Sequence, residues 1–141
     1  MSNVRIRDAS VLIAFQPIER LADTSLQHHI RLEPNTVHLW GIKLDGSSQC
    51  LARCRQWLDE RELDRAARLV REDLRRHYVL AHGGLRAVLS HYLGVSPELV
   101  EFDRSETGKP MLVRELRDRS AITFNLSHAH GRVLMAVSRA Q

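Results

Sequence analysis

"ELDRAARLVREDLRRHYVLAHGGLRAVLSHYL", residues 62–93, returns to an apolar or aromatic side chain every three or four positions: Leu63, Ala67, Val70, Leu74, Tyr78, Ala81, Leu85, Val88 and Tyr92. That spacing lays them along one face of a helix, so it predicts a single long helix over 62–93 with that face buried. Gly83 and Gly84 interrupt the pattern, each costing about 1 kcal/mol against alanine in a helix interior, and predict a close helix contact or a bend. Gly94 is the residue type that ends a helix in a left-handed turn.

Working outward, "TVHLWGIKL" (36–44) alternates as a strand does, and "DGSS" (45–48) offers a turn and an N-cap to a short helix over 50–58. Residues 1–35 are the least readable: the short apolar patch "VLIAF", Pro17, a polar run with His28 and His29, and Pro34. They read as an N-terminal extension that packs late or poorly, ahead of one domain over 36–141. Beyond the helix, "SPELVEFDRSETGKPMLV" reads as a turn, a short strand over 99–102, a polar loop and a strand over 111–113. "RELRDRS" reads as another loop. "AITFNLS" and "RVLMAVS" read as strands separated by Gly131. One strand, then helices, then short strands on tight connections predicts an α+β domain, a mainly antiparallel small sheet packed on a long helix. At 141 residues and 43% hydrophobic content the chain is long enough for one core.

The net charge is +4, and the basic residues are nineteen Arg against two Lys, Lys43 and Lys109. Arginine's planar fork suits phosphate and carboxylate, although a preference for Arg codons produces the same count. Aromatic content of 5% and the lack of a recognised motif argue against a nucleic-acid binder. Cys50 and Cys54 are neither a disulfide framework nor a four-ligand zinc site, and read as core thiols. No run reaches the ~18 apolar residues of a membrane span, and the apolar patch near the N-terminus is too short for a signal peptide, so a cytoplasmic protein is expected.

Several residues could carry chemistry. "SETGKP" (105–110) is not a phosphate-cradling P-loop, because Asp103 and Pro110 stand where that motif needs glycine and Ser or Thr. Lys109, between Gly108 and Pro110, is either a fixed point charge for phosphate or a solvated loop residue. His128 and His130 share a strand face if the strand continues, but a metal site would need a further ligand from far away, His28 and His29 included. Ser127 and His128 point to opposite faces of a strand and so do not pair directly. Arg61, Arg65, Arg68, Arg75 and Arg76 flank the apolar stripe, as a solvated face would or as a cationic strip.

Taken in order, "VHLWGIKLD", "RAARLVREDLRRHYVLAHGGLRAVLSHYLG", "ELVEFDRSETGKPML" and "ITFNLSHAHGRVLMAVS" resemble the N-terminal half of the 4'-phosphopantetheinyl transferases of the larger, Sfp-like type, over residues 37–138. The resemblance implies one half of a pseudo-dimeric fold with the active site in the crease between halves. It implies coenzyme A as substrate, with its phosphopantetheine arm moved to a serine of an acyl or peptidyl carrier protein. It places Ser127 and His128 on coenzyme A phosphates and Lys109 at the nucleotide end of the cleft. Arg65 and Arg76 match the region that supplies cations to the 3'-phosphate, with Arg75 or His77 as replacements for Arg76 if the register slips. Asn125 braces the turn, Arg86 is structural, and His130 matches no functional position.

The family's Gly-x-Asp-x-Glu and Lys-Glu motifs, which bind magnesium, do not occur in the sequence. The expectation is therefore a cation-bearing, coenzyme A-binding half without a metal cage. It is either a piece of a full transferase or a freestanding half that pairs with a C-terminal half or with itself. The alternative is a non-catalytic module that binds coenzyme A or a carrier protein.

Overall fold

The computed structural model describes residues 2–6, 9–22 and 29–139. In chain order they form β1 (Ser2–Ile6), β2 (Ala9–Pro17), α1 (Ile18–Leu21), β3 (Thr36–Lys43), α2 (Ser48–Trp57), α3 (Glu60–Ala67), α4 (Glu72–Leu93), β4 (Phe102–Arg104), β5 (Pro110–Leu112), α5 (Arg114–Ser120), β6 (Ile122–Ala129) and β7 (Arg132–Arg139). The α+β class expected from the sequence is the one observed. Five strands pair in the order β1-β2-β3-β7-β6, and β4 and β5 form a separate hairpin. Every pairing is antiparallel except β2 with β3, which run parallel from Ser10↔Thr36 to Pro17↔Lys43.

Alternation along the strands sends Trp40, Ile42, Val133, Met135, Val137 and Phe124 into a core completed by Leu80, Leu85, Val88 and Leu89 of α4. The opposite sheet face carries Val11, Ile13 and Phe15 of β2, Val37 and Leu39 of β3, and Leu134 of β7, none of them fully buried. Phe15 is 76% exposed.

Four readings change. The first concerns the N-terminus: β1 and β2 extend the sheet rather than packing poorly, because the "VLIAF" run has apolar residues for both faces, as a strand beside a parallel partner requires. His28 lies outside the described residues.

The 62–93 segment is two helices, not one. A capping box between Asp59 and Glu62 starts α3, and the guanidinium of Arg75 takes the carbonyls of Leu69 and Val70 at 2.7 and 2.8 Å, which satisfies the corner between α3 and α4. Val70 is consequently 91% exposed, and the part of the stripe that is buried begins at Ala81. Gly83 does mark a close contact: a Cβ there would lie 2.5 Å from Cys54 Cβ of α2.

The strand expected over 99–102 gives way to a 3-10 turn, Pro97–Leu99, followed by β4. Buried Arg86 donates to the carbonyls of Pro97 and Val100, at 3.1 and 2.7 Å, which takes those groups away from any sheet ladder. Finally, "RELRDRS" is helix α5 rather than a loop, closed by Ala121 in the left-handed region at φ 57°.

Candidate functional site

The β6–β7 hairpin presents the first part of the site. Ala129 pairs with Arg132, leaving His130 and Gly131 as a two-residue turn with φ 53° and 72°. Positive φ at both positions is the hairpin geometry whose twist suits the flanking strands. His130 therefore sits in the turn and not on the strand face that spacing alone suggested. Because β6 is the last strand of its sheet, one edge is free of a strand partner within that sheet. Ser127 lines a cleft with Phe15 and Leu134, and His128 lines both that cleft and a groove on the α4 side.

The β4–β5 hairpin supplies the second part. Its loop is tied down by Gly108 N–H to Ser105 O at 2.9 Å, Ser105 N–H to Lys109 O at 2.9 Å, and Lys109 N–H to Ser105 Oγ at 3.1 Å. Gly108 stands at φ 84°, a conformation for which glycine is suited. Held in this way, Lys109 points its Nζ to within 3.4 Å of Asn125 Oδ1 on β6. Asn125 lies two residues before Ser127, so the Gly-Lys-Pro loop and the Ser-His corner adjoin.

A groove of about 310 Å³ runs between α4 and the β6–β7 turn, with Leu44, Leu69, Leu74, Ala81 and Leu126 among its walls. His77, His82, His128 and His130 line it together with Arg132, and among the described residues no Asp or Glu does. The ring of His77 lies against the turn, 3.5 Å from where a Cβ on Gly131 would sit. Tyr78 stacks on His82 with centroids 4.1 Å apart, and its hydroxyl is buried without a hydrogen-bond partner.

Beneath the groove, Glu62 accepts from His82 Nδ1 at 3.0 Å, from Arg86 Nε at 3.0 Å and from Asp59 N–H at 3.0 Å. Burial pushes its carboxyl up, but the His82 and Arg86 contacts outweigh burial and hold it below the usual carboxylate range. Arg86, 1% exposed and also lying over the Phe102 ring, is a structural residue as expected.

The two helix arginines are less close-set. Arg65 is exposed on α3, where its charge acts on the Tyr78 hydroxyl. Arg76 donates to the carbonyl of Gly46, away from the groove, and Arg75 is occupied at the helix corner. Of the residues near that register, His77 is the one that lines the groove. His82 and Tyr78 escaped sequence reasoning; their i, i+4 spacing on one helix face was the available signal, and Tyr78 had been absorbed into the apolar stripe.

The sequence matches the family model described as "4'-phosphopantetheinyl transferase, N-terminal" over residues 45–140. It is 38% identical over 110 residues to the 4'-phosphopantetheinyl transferase HetI of Nostoc sp., covering 78% of this chain and 46% of that protein. It is 34% identical over 102 residues to a phosphopantetheinyl transferase of Thraustochytrium sp., covering 70% and 34%. The chain thus spans less than half the length of these two curated relatives. Among solved structures, Helicobacter pylori holo-[acyl-carrier-protein] synthase, in complex with coenzyme A, superposes with a TM-score of 0.52 at 14% identity, covering 74% of this chain and 99% of that one. A sheet of short strands packed on a long helix, a family match across most of that unit and relatives of the same description lead to one assignment: the chain belongs to the N-terminal family of the 4'-phosphopantetheinyl transferases.

Proposed function

We propose that this chain is the coenzyme A-gripping part of a 4'-phosphopantetheinyl transferase, acting in the cytoplasm. What carries this reading is the convergence of two separate loops: Lys109 Nζ stands 3.4 Å from Asn125 Oδ1, on the strand that bears Ser127 and His128. A diphosphate laid across the free edge of β6 meets an ammonium, a hydroxyl and an imidazole. Arg65 would add charge at the outer end. His77 is better placed than Arg76, whose guanidinium would first have to leave the Gly46 carbonyl. The solved neighbour in complex with coenzyme A supports the same ligand class.

In the reaction of the whole enzyme, a carrier-protein serine oxygen bonds to the phosphorus nearest the pantetheine, and the bond from that phosphorus to the bridging oxygen breaks, releasing adenosine 3',5'-bisphosphate. The hydroxyl proton goes to a general base of the whole enzyme. Their contribution is to hold the diphosphate and to neutralise negative charge as it shifts onto the leaving group. No group of three or more His, Cys, Asp or Glu among the described residues comes together to hold a metal, so they do not fit the magnesium expected of the family. No step is therefore assigned to it here.

The partners proposed are an acyl or peptidyl carrier protein and, across the apolar outer face of the sheet, a C-terminal half or a second copy. Phe15, Ile42, Lys43 and Leu134 line a cleft of about 500 Å³ on that side. No helix among the described residues is long and apolar enough to cross a membrane.

Calorimetric titration with coenzyme A tests the grip. Lys109→Ala and His128→Ala should each weaken binding by about tenfold or more, the scale of a lost hydrogen bond to a charged group. Unchanged affinity in both would overturn the reading.

A further inference from the structure

We propose that Ser105 and Asn125 are positioning residues for Lys109: Ser105 fixes the root of its side chain and Asn125 steadies the tip, so that the ammonium already stands beside the strand that bears Ser127 when an anion arrives. This rests on the reading of the chain as a coenzyme A grip, and adds the two residues that make its loop cation effective.

A lysine carries its charge on a long flexible stem, and a free one has to be ordered at the moment it grips a ligand. The β4–β5 hairpin removes much of that freedom at the root. Ser105 N–H donates to Lys109 O at 2.9 Å, its carbonyl accepts from Gly108 N–H at 2.9 Å, and its hydroxyl accepts from Lys109 N–H at 3.1 Å. The same hydroxyl lies 3.0 Å from Thr107 Oγ1, and Arg104 donates to the Gly108 carbonyl at 2.9 Å. With both backbone groups of Lys109 bonded to Ser105, the loop cannot turn the lysine away without breaking the end of the hairpin.

The tip contact is of a different kind. Asn125 and Ser127, two residues apart on β6, share the strand face turned away from the core. Asn125 Oδ1 accepts from Lys109 Nζ at 3.4 Å, a long bond that leaves the ammonium's other hydrogens for a ligand. This acceptor is neutral. A carboxylate at the same place would hold the lysine harder, but it would cancel the charge and repel phosphate oxygens. A carboxamide orients the ammonium and leaves the charge whole. Lys43 gives the contrast: it is paired with Asp45 at 3.6 Å, whereas no ion pair among the described residues includes Lys109.

Because the chain has two lysines, a lysine-selective isotope label gives two sets of side-chain NMR signals, and Lys109→Ala assigns them. Asn125→Ala should loosen the Lys109 side chain and leave Lys43 unchanged, while Asn125→Asp should hold it at least as tightly as in the wild type. Calorimetric titration with coenzyme A should find affinity weakened about threefold to tenfold by Asn125→Ala, the scale of one hydrogen bond. The loss should be larger in Asn125→Asp, despite the better-held lysine. In a Lys109→Ala background the Asn125→Ala loss should shrink below about twofold, since a residue that acts through another then has nothing to position. Ser105→Ala should behave as Asn125→Ala does, and Ser105→Thr, which keeps the hydroxyl, should recover most of the affinity.

An unchanged Lys109 signal in Asn125→Ala, or an equal loss of affinity with and without Lys109, overturns the proposal and leaves the coenzyme A reading intact. Failure of Ser105→Thr to recover what Ser105→Ala loses overturns the part given to Ser105. Full affinity in Lys109→Ala overturns the coenzyme A reading instead, and a Lys109 side chain loosened by Asn125→Ala then still upholds the clamp.

Discussion

Tyr92 ties His38 to Trp40: its hydroxyl accepts from Trp40 Nε1 at 2.8 Å and shares a hydrogen bond with His38 Nδ1 at 2.7 Å. Burial independently lowers the His38 pKa, favouring the neutral ring. Its folded-state value being depressed, the stability this contributes is present above the ordinary histidine range and is lost as pH falls below it. NMR titration should find His38 protonating below that range, and the urea midpoint should drop as the solution is acidified through and below it. At this scale, part of the candidate site was legible: Gly-Lys-Pro and Ser-His could be read from short motifs. The histidine groove was not, because His77 and His82 come from α4 and His128 and His130 from the hairpin, and only folding brings them together.

Between elements, helices α2 and α4 approach closely at Gly83. A methyl group on Gly83 would meet Cys54 Cβ at 2.5 Å and its α-carbon at 3.2 Å, atoms fixed to another helix and unable to rotate away. Gly83→Ala gains about 1 kcal/mol in helix propensity but forces the helices apart, at about 1–3 kcal/mol. The steric cost prevails, and thermal unfolding should show a lowered midpoint despite the better helix former. This contact was foreshadowed by the paired glycines, as the strands were by alternation. The break after Ala67 was hidden because its apolar spacing continues unbroken; what ends the helix is Arg75 reaching back to the preceding carbonyls. Helix α5 had no apolar period to reveal it, since it has no buried residue and closes through Ser120 Oγ donating to Leu116 O at 2.6 Å and the turn at Ala121.

For the whole molecule, the asymmetry of the sheet matters most: one face lies under α4, and the other keeps Phe15, Leu134 and their neighbours in contact with solvent. Apolar surface of this kind drives association. Sedimentation should show the wild-type chain rising in average mass with concentration, while Phe15→Ser/Leu134→Ser stays near 16.2 kDa; a wild-type chain that remains monomeric at high concentration contradicts the expectation. The division at residue 35 follows composition, yet β2 pairs with β3 along eight register positions, so the first strands stabilise the sheet they border. The flanking of β3 by β2 and β7 also sets an order of events on the ribosome. Helix α4 is synthesised while the strand that fills its far side, β7, is still untranslated, and its apolar face has to wait. A nascent chain stalled before residue 132 would thus be a natural client for chaperones that shield unfinished cores.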